Sequence, residues 1–256
     1  MEKNPCFAGV LYFWRVTRLT GIILSGILVS WLTASAILHR HVSDDAIISY
    51  TVDLKKQDLQ LYWKDDSGQI FKSIQHLKDF LEHRHKRLLF AMNGGMFNAD
   101  NSPVGLFIQH KMTLAPLDTG SGTGNFYLKP NGVFYIRGNT AAICPTSEFK
   151  NDGQVTFATQ SGPLLLINGA FHTAFKKGSV NTNIRNAVGI LPDNKVIFAM
   201  SREPINFYDL ASYFSNMGCR DALYLDGFVS RTYVPEKNWT QTDGNFGVII
   251  AVAAPE

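Results

Sequence analysis

Residues 222–225 are apolar and lead directly into Asp226-Gly227, so a carboxylate closes a stretch otherwise fit for burial. An acid placed there has two readings. It activates water or stabilises a developing cation beside a low-dielectric wall, or it folds back on the following amides as an Asx-turn, as short acids before Gly do. Arg185 sits inside another strand-like run, between Ile184 and the apolar residues 187–190. A guanidinium there either forks onto phosphate oxygens or completes a buried ion pair. Arg231 is a second phosphate ligand or an ordinary surface arginine, and Glu203, in Ser201-Arg202-Glu203-Pro204, is a second carboxylate or a solvated loop acid.

Two glycine loops qualify as binding elements. Asn93-Gly94-Gly95 and Ser161-Gly162 would offer bare backbone N–H groups to an anion or a sugar hydroxyl, or would simply make tight turns that glycine permits. Gly227 and Ser230, in the turn after Asp226, join them as candidate substrate contacts. Other groupings carry no chemistry. His83 and His85 are two apart on an expected helix and point to different sides. Gly120-Ser121-Gly122-Thr123-Gly124 lacks the strand and helix of a phosphate-binding loop. No Gly-x-Ser-x-Gly elbow occurs, and neither Cys144 nor Cys219 has a recognisable His partner. No metal or cofactor is expected.

The elements that must position these groups follow from periodicity and turn chemistry. Residues 47–54, 59–63, 88–92, 104–109, 163–167, 184–190, 196–200, 222–225 and 247–253 read as strands. Ile70, Ile74, Leu77 and Leu81 recur at helical spacing, and Phe207, Leu210, Ala211, Phe214 and Met217 form a second helix face capped by Asn206 and ended by Gly218. Asn131-Gly132 predicts a hairpin between strands 125–128 and 133–136. Hairpins mixed with helices give an α+β fold, with a mixed, largely antiparallel sheet, flanking helices and one N-terminal hydrophobic helix.

Several islands together resemble the phosphodiester glycosidase family: Met92-Asn93-Gly94-Gly95-Met96-Phe97, the run TQSGPLLLING over 159–169, IRNAVG over 184–189 and ALYLDG over 222–227. They occur in the family's order from about Asn93 onward. The resemblance implies a hydrolase that cleaves the glycosidic bond of a sugar 1-phosphodiester, releasing the sugar and a phosphomonoester. Such a bond breaks with positive charge at the anomeric carbon and negative charge on a good leaving group, so one carboxylate and phosphate contacts suffice where ordinary glycosidases use two carboxylates. One island departs from the pattern. The family's Asp-Gly-Gly-Gly-Ser-Ser turn is here Asp226-Gly227-Phe228-Val229-Ser230-Arg231, and a side chain at Phe228 would crowd a phosphate approaching the backbone. That departure favours the rival expectation, a non-catalytic envelope module binding a glycan or protein.

Residues 19–38 carry no charge and reach the ~20 residues an apolar helix needs to cross a bilayer. Lys3, Arg15 and Arg18 precede them, so the rest of the chain is expected on the far side of a membrane, in the periplasm. Residues 1–40 are then a signal or anchor and 41–256 one domain. Ala34-Ser35-Ala36 suits cleavage, whereas the apolar length suits a retained anchor. Of the net charge of +3, residues 1–18 supply three basic and one acidic side chain, leaving 21 basic and 20 acidic. So even a balance lacks the basic face of a nucleic-acid binder, and the expected partner is a sugar phosphodiester or envelope glycan. In an oxidising compartment Cys144 and Cys219 are either paired as a disulfide or separate buried thiols.

Overall fold

The computed structural model describes residues 44–256. The expected hydrophobic helix at 19–38 lies outside them, and no helix among the described residues is long and apolar enough to cross a membrane.

The central strands are apolar at nearly every position, as strands buried on both faces must be, and three sheets result. The first runs β1 (Ile47–Val52), β12 (Val196–Ser201), β11 (Asn186–Ile190), β13 (Ala222–Asp226), β9 (Leu164–Ile167) and β10 (Ala170–Phe171). The second runs β15 (Trp239–Thr240), β14 (Thr232–Val234), β3 (Lys86–Asn93), β16 (Ile249–Pro255) and β2 (Leu59–Tyr62). The third runs β5 (Met112–Ala115), β4 (Phe107–Gln109), β8 (Phe157–Ser161), β6 (Gly132–Arg137) and β7 (Thr140–Pro145). Two α-helices complete the described residues, α1 (Ile74–Glu82) and α2 (Phe207–Asn216).

The period of two decides what each face touches. Val196, Phe198 and Met200 of β12 enter a core shared by all three sheets, with Tyr50, Phe90 and Phe134. Ile197 and Ala199 turn the other way and pack with Leu210, Ala211 and Phe214 of α2. Both faces are therefore buried, and each fully buried side chain of this size stabilises the fold by roughly 1.5–3 kcal/mol. On the second sheet, Ile74, Leu77 and Leu81 of α1 cover Leu88, Ala91, Ile249 and Ala251.

Three expectations are corrected. The α+β assignment with a mixed sheet gives way to a mostly antiparallel β fold, because every recorded strand pair among the described residues is antiparallel and only two α-helices accompany them. The helical periodicities were real, but they cover two short segments. The hairpin at Asn131-Gly132 is absent. Residues 125–127 form a 3-10 turn, and β6 pairs with β7 and β8 instead. Asn131 spends its amide on the Phe126 carbonyl at 3.0 Å. Gly132 is already in the strand, where a Cβ would come within 2.8 Å of the Cys144 carbonyl. Finally, Cys144 and Cys219 are separate thiols. Cys219 follows α2 and packs in that helix's cluster, whereas Cys144 lies on β7 of the third sheet.

The Asn206 cap is present as expected. Its side chain accepts from the Asp209 amide at 2.9 Å, and its Nδ2 donates to the Ser179 carbonyl at 3.1 Å, tying the 172–183 loop to α2. Asn206→Ala is expected to lower stability by about 1–2 kcal/mol in urea unfolding, the cost of a lost cap.

Candidate active site

Two strands from different sheets end side by side. β3 delivers Asn93, and β11 and β13 pair Asn186 with Asp226. Asn186 joins them. Its Nδ2 donates to the Asn93 carbonyl at 3.0 Å and to Asn93 Oδ1 at 2.8 Å, while its Oδ1 accepts from the Asp226 amide at 2.8 Å. Asn93 Oδ1 also accepts from the Arg231 amide at 2.9 Å, and its Nδ2 faces Asp226 Oδ2 at 3.5 Å. Both asparagines are fully buried. Amides removed from water must be paired, so this network fixes the two strand ends against each other.

The carboxylate of Asp226 is held at the edge of that network. Its Oδ1 accepts from the Gly227 amide at 2.6 Å, so the expected Asx-type contact exists. Burial nonetheless pushes the acid up to about 6, against the smaller opposing effects of the Gly227 and Asn93 hydrogen bonds. Structural bonding and a perturbed acid thus coexist in one residue. The turn beyond is closed by Ser230, whose amide donates to the Gly227 carbonyl at 2.8 Å and whose hydroxyl donates to the Asp226 carbonyl at 3.1 Å.

The glycine loops come to the same place, as close-packed walls. Ser161 is buried and its hydroxyl donates to the Leu225 carbonyl at 2.8 Å, stitching the third sheet to the strand that carries Asp226. A Cβ on Gly94 would meet Ile250 at 2.5 Å, one on Gly95 the Thr159 hydroxyl at 2.9 Å, and one on Gly162 the Phe126 carbonyl at 2.8 Å. These glycines are required by packing whatever else they touch.

The charged candidates separate. Arg185 is only 1% exposed. Its Nε donates to the Ile205 carbonyl at 2.8 Å, Nη1 to the Tyr224 hydroxyl at 3.3 Å and Nη2 to the carbonyl and side chain of Asn181, both at 3.2 Å. The guanidinium also lies 3.8 Å from the Phe207 ring centre. A phosphate would have to displace these partners, so Arg185 serves as an internal brace. Its hydroxyl partner is placed with purpose, because Gly227 packs directly on the Tyr224 oxygen. Arg231 is more accessible, and pairs with Asp243 through Nε at 2.8 Å. Glu203 stands exposed ahead of α2, outside the bonded cluster. A cavity of about 370 Å³ is bordered by Lys129, Pro130, Asn131 and Thr146; none of the candidate residues lines it, and its one link to them is the packing of Gly162 against Asn131. Among the described residues, no three His, Cys, Asp or Glu side chains group in a way that could hold a metal ion.

Residues 86–252 match the sequence model of the phosphodiester glycosidases. The chain belongs to the phosphodiester glycosidase family. Protein YigE of Escherichia coli, described as uncharacterized, is 33% identical over 187 residues, 73% of each chain. The fold is similar to the catalytic domain of zebrafish N-acetylglucosamine-1-phosphodiester alpha-N-acetylglucosaminidase, with TM-score 0.54, 13% identity and coverage of 80% of this chain and 81% of that one. It is also similar to a protein of Burkholderia pseudomallei, with TM-score 0.52, 11% identity and coverage of 80% and 73%.

Within this member of the family, Asn186 and Tyr224 belong to the bonded cluster around Asp226 and were passed over by sequence reasoning. Each lies inside a quoted island, IRNAVG or ALYLDG, and the usable signal was a polar group in the middle of an apolar strand. The brace has a measurable consequence. Arg185→Lys keeps the charge but loses the fork and the ring stacking, and is expected to lower stability on the order of 3 kcal/mol, read as a fall in the urea midpoint.

Proposed function

We propose that this protein is an exported hydrolase of the cell envelope that cleaves the glycosidic bond of a sugar 1-phosphodiester, with Asp226 as its base. The observation that carries this is the single carboxylate raised to about 6 at the meeting point of β3, β11 and β13, within a phosphodiester glycosidase. At neutral pH most of it is ionised and suited to take a proton from water. As water attacks the anomeric carbon, its proton passes to Asp226, the bond from that carbon to the phosphate oxygen breaks, and the electron pair leaves with the phosphomonoester. The departing oxygen is already weakly basic, so a second carboxylate is not required. Arg231, on the same turn, meets the phosphate after releasing Asp243; an exposed pair of this kind is worth at most about 1 kcal/mol. Arg185 positions Tyr224 and, through it, Gly227.

Location in the envelope rests on the uncharged segment 19–38 behind a basic N-terminus. The altered turn at Phe228 favours a second reading, a glycan-binding module without turnover. Asp226→Asn separates the two. As a catalyst it is expected to lose 10²–10⁴-fold in turnover of sugar 1-phosphodiesters, roughly the contribution of a general base; unchanged turnover would remove Asp226 from the chemistry.

Two pH dependences accompany this. The rate is expected to rise with pH through about 6, following ionisation of Asp226. Stability runs in the opposite direction. A buried acid with a raised value favours the fold most below its unfolded value near ~3.9, and this contribution is lost as pH rises through about 6. Thermal unfolding should therefore show Asp226→Asn gaining on the wild type between pH 4 and pH 8.

A further inference from the structure

Five large apolar side chains stand exposed among the described residues, and the two most exposed are Val180 at 95% and Phe228 at 91%. Met112 and Leu114 belong to edge strand β5 and Met217 to the end of α2, each far from Asp226 in the order of the sheets or helix. Val180 and Phe228 differ in sharing one support. Asn181, next to Val180, receives Arg185 Nη2; Arg185 Nη1 donates to Tyr224; and the Tyr224 hydroxyl underlies Gly227, next to Phe228.

The turn that presents Phe228 is held at both ends. Gly227 and Ser230 are joined by a backbone hydrogen bond of 2.8 Å, which puts Phe228 and Val229 at the apex of a tight turn. One end of that turn bonds the Asp226 carboxylate through the Gly227 amide at 2.6 Å, and the other bonds its carbonyl through the Ser230 hydroxyl at 3.1 Å. The backbone that carries Phe228 is thus fixed two residues from the reacting carboxylate, and the ring is left in water.

The chemistry of a phenyl ring selects what it meets. Its face carries partial negative charge, which repels phosphate oxygens and attracts the polarised C–H bonds on one face of a pyranose. Arg231, at the far end of the same turn, has the opposite preference. We propose that Phe228 is the sugar platform of the Asp226 site: it stacks on the C–H face of the pyranose, so that the turn orients the diester with sugar toward Phe228 and phosphate toward Arg231. This deepens the glycosidase reading and rests on it. Where the family places glycine, this chain has a specificity-determining aromatic.

The test compares wild type, Phe228→Ala and Phe228→Tyr in the full chain. The turn is closed by backbone and Ser230 bonds, so these variants should keep their circular dichroism. With the methyl phosphodiester of N-acetylglucosamine 1-phosphate, Phe228→Ala is expected to raise KM about tenfold, the scale of one aromatic contact, with kcat within about twofold. Phe228→Tyr should stay near wild type. Saturation-transfer NMR supplies a readout independent of turnover, with methyl N-acetylglucosaminide and methyl phosphate as separate probes. Saturating aromatic protons should reach the sugar ring hydrogens in wild type and not in Phe228→Ala, while methyl phosphate binding is unchanged. Loss on the methyl phosphate probe in place of the sugar, absence of transfer to the sugar in wild type, or equal KM and transfer in Phe228→Ala would each overturn the assignment. If no form turns over the diester yet transfer to the sugar is lost in Phe228→Ala, hydrolysis falls and the platform stands.

Discussion

The two hydrogen bonds that Asn186 Nδ2 donates to Asn93 are the contact on which the site depends. It is the place where the first and second sheets are hydrogen-bonded through side chains at full burial. A buried amide left without partners costs about 1–3 kcal/mol, so each asparagine makes the other's position obligatory. The amides of Asp226 and Arg231 then attach to the side-chain oxygens of the same pair. Strand ends that would otherwise fray are set to within a hydrogen bond, and the turn between them inherits that precision.

A second layer of support comes from the third sheet and from the face under α2. Ser161 reaches the backbone of β13, and Thr159 donates to the Gly94 carbonyl at 3.0 Å. Beneath, Phe207, Arg185 and Tyr224 form a stack in which a cation is sandwiched by aromatic and carbonyl groups. Polar groups fully paired in this way specify one arrangement. Around Asp226, then, an apolar core supplies the burial that raises its pKa, while amides and hydroxyls supply direction.

How much of this could be read in the sequence varies with the signal each part leaves. β12 and β13 were legible as continuous apolar runs, because both of their faces are buried, and α2 by its helical periodicity with a cap at Asn206. β5 and β7 were not, since most of their residues are exposed or half-buried. β8 failed for the opposite reason: all five of its residues are buried, yet Thr159, Gln160 and Ser161 look like surface residues. The same blindness affected the site. Asp226 and Asn93 were found because they end apolar runs, but Asn186 and Tyr224 lie inside theirs, and only coordinates show which partners justify burying them. For Arg185 the sequence left phosphate and structure equally open, and the ring of carbonyl, hydroxyl and aromatic partners favours structure.

The turn from Gly227 to Ser230 is fastened by backbone groups and one hydroxyl, none of them belonging to residues 228 or 229. Those two positions are therefore free of any duty to the carboxylate beside them. A different side chain at either position changes what is presented beside the carboxylate and leaves intact the hydrogen bonds that hold Asp226.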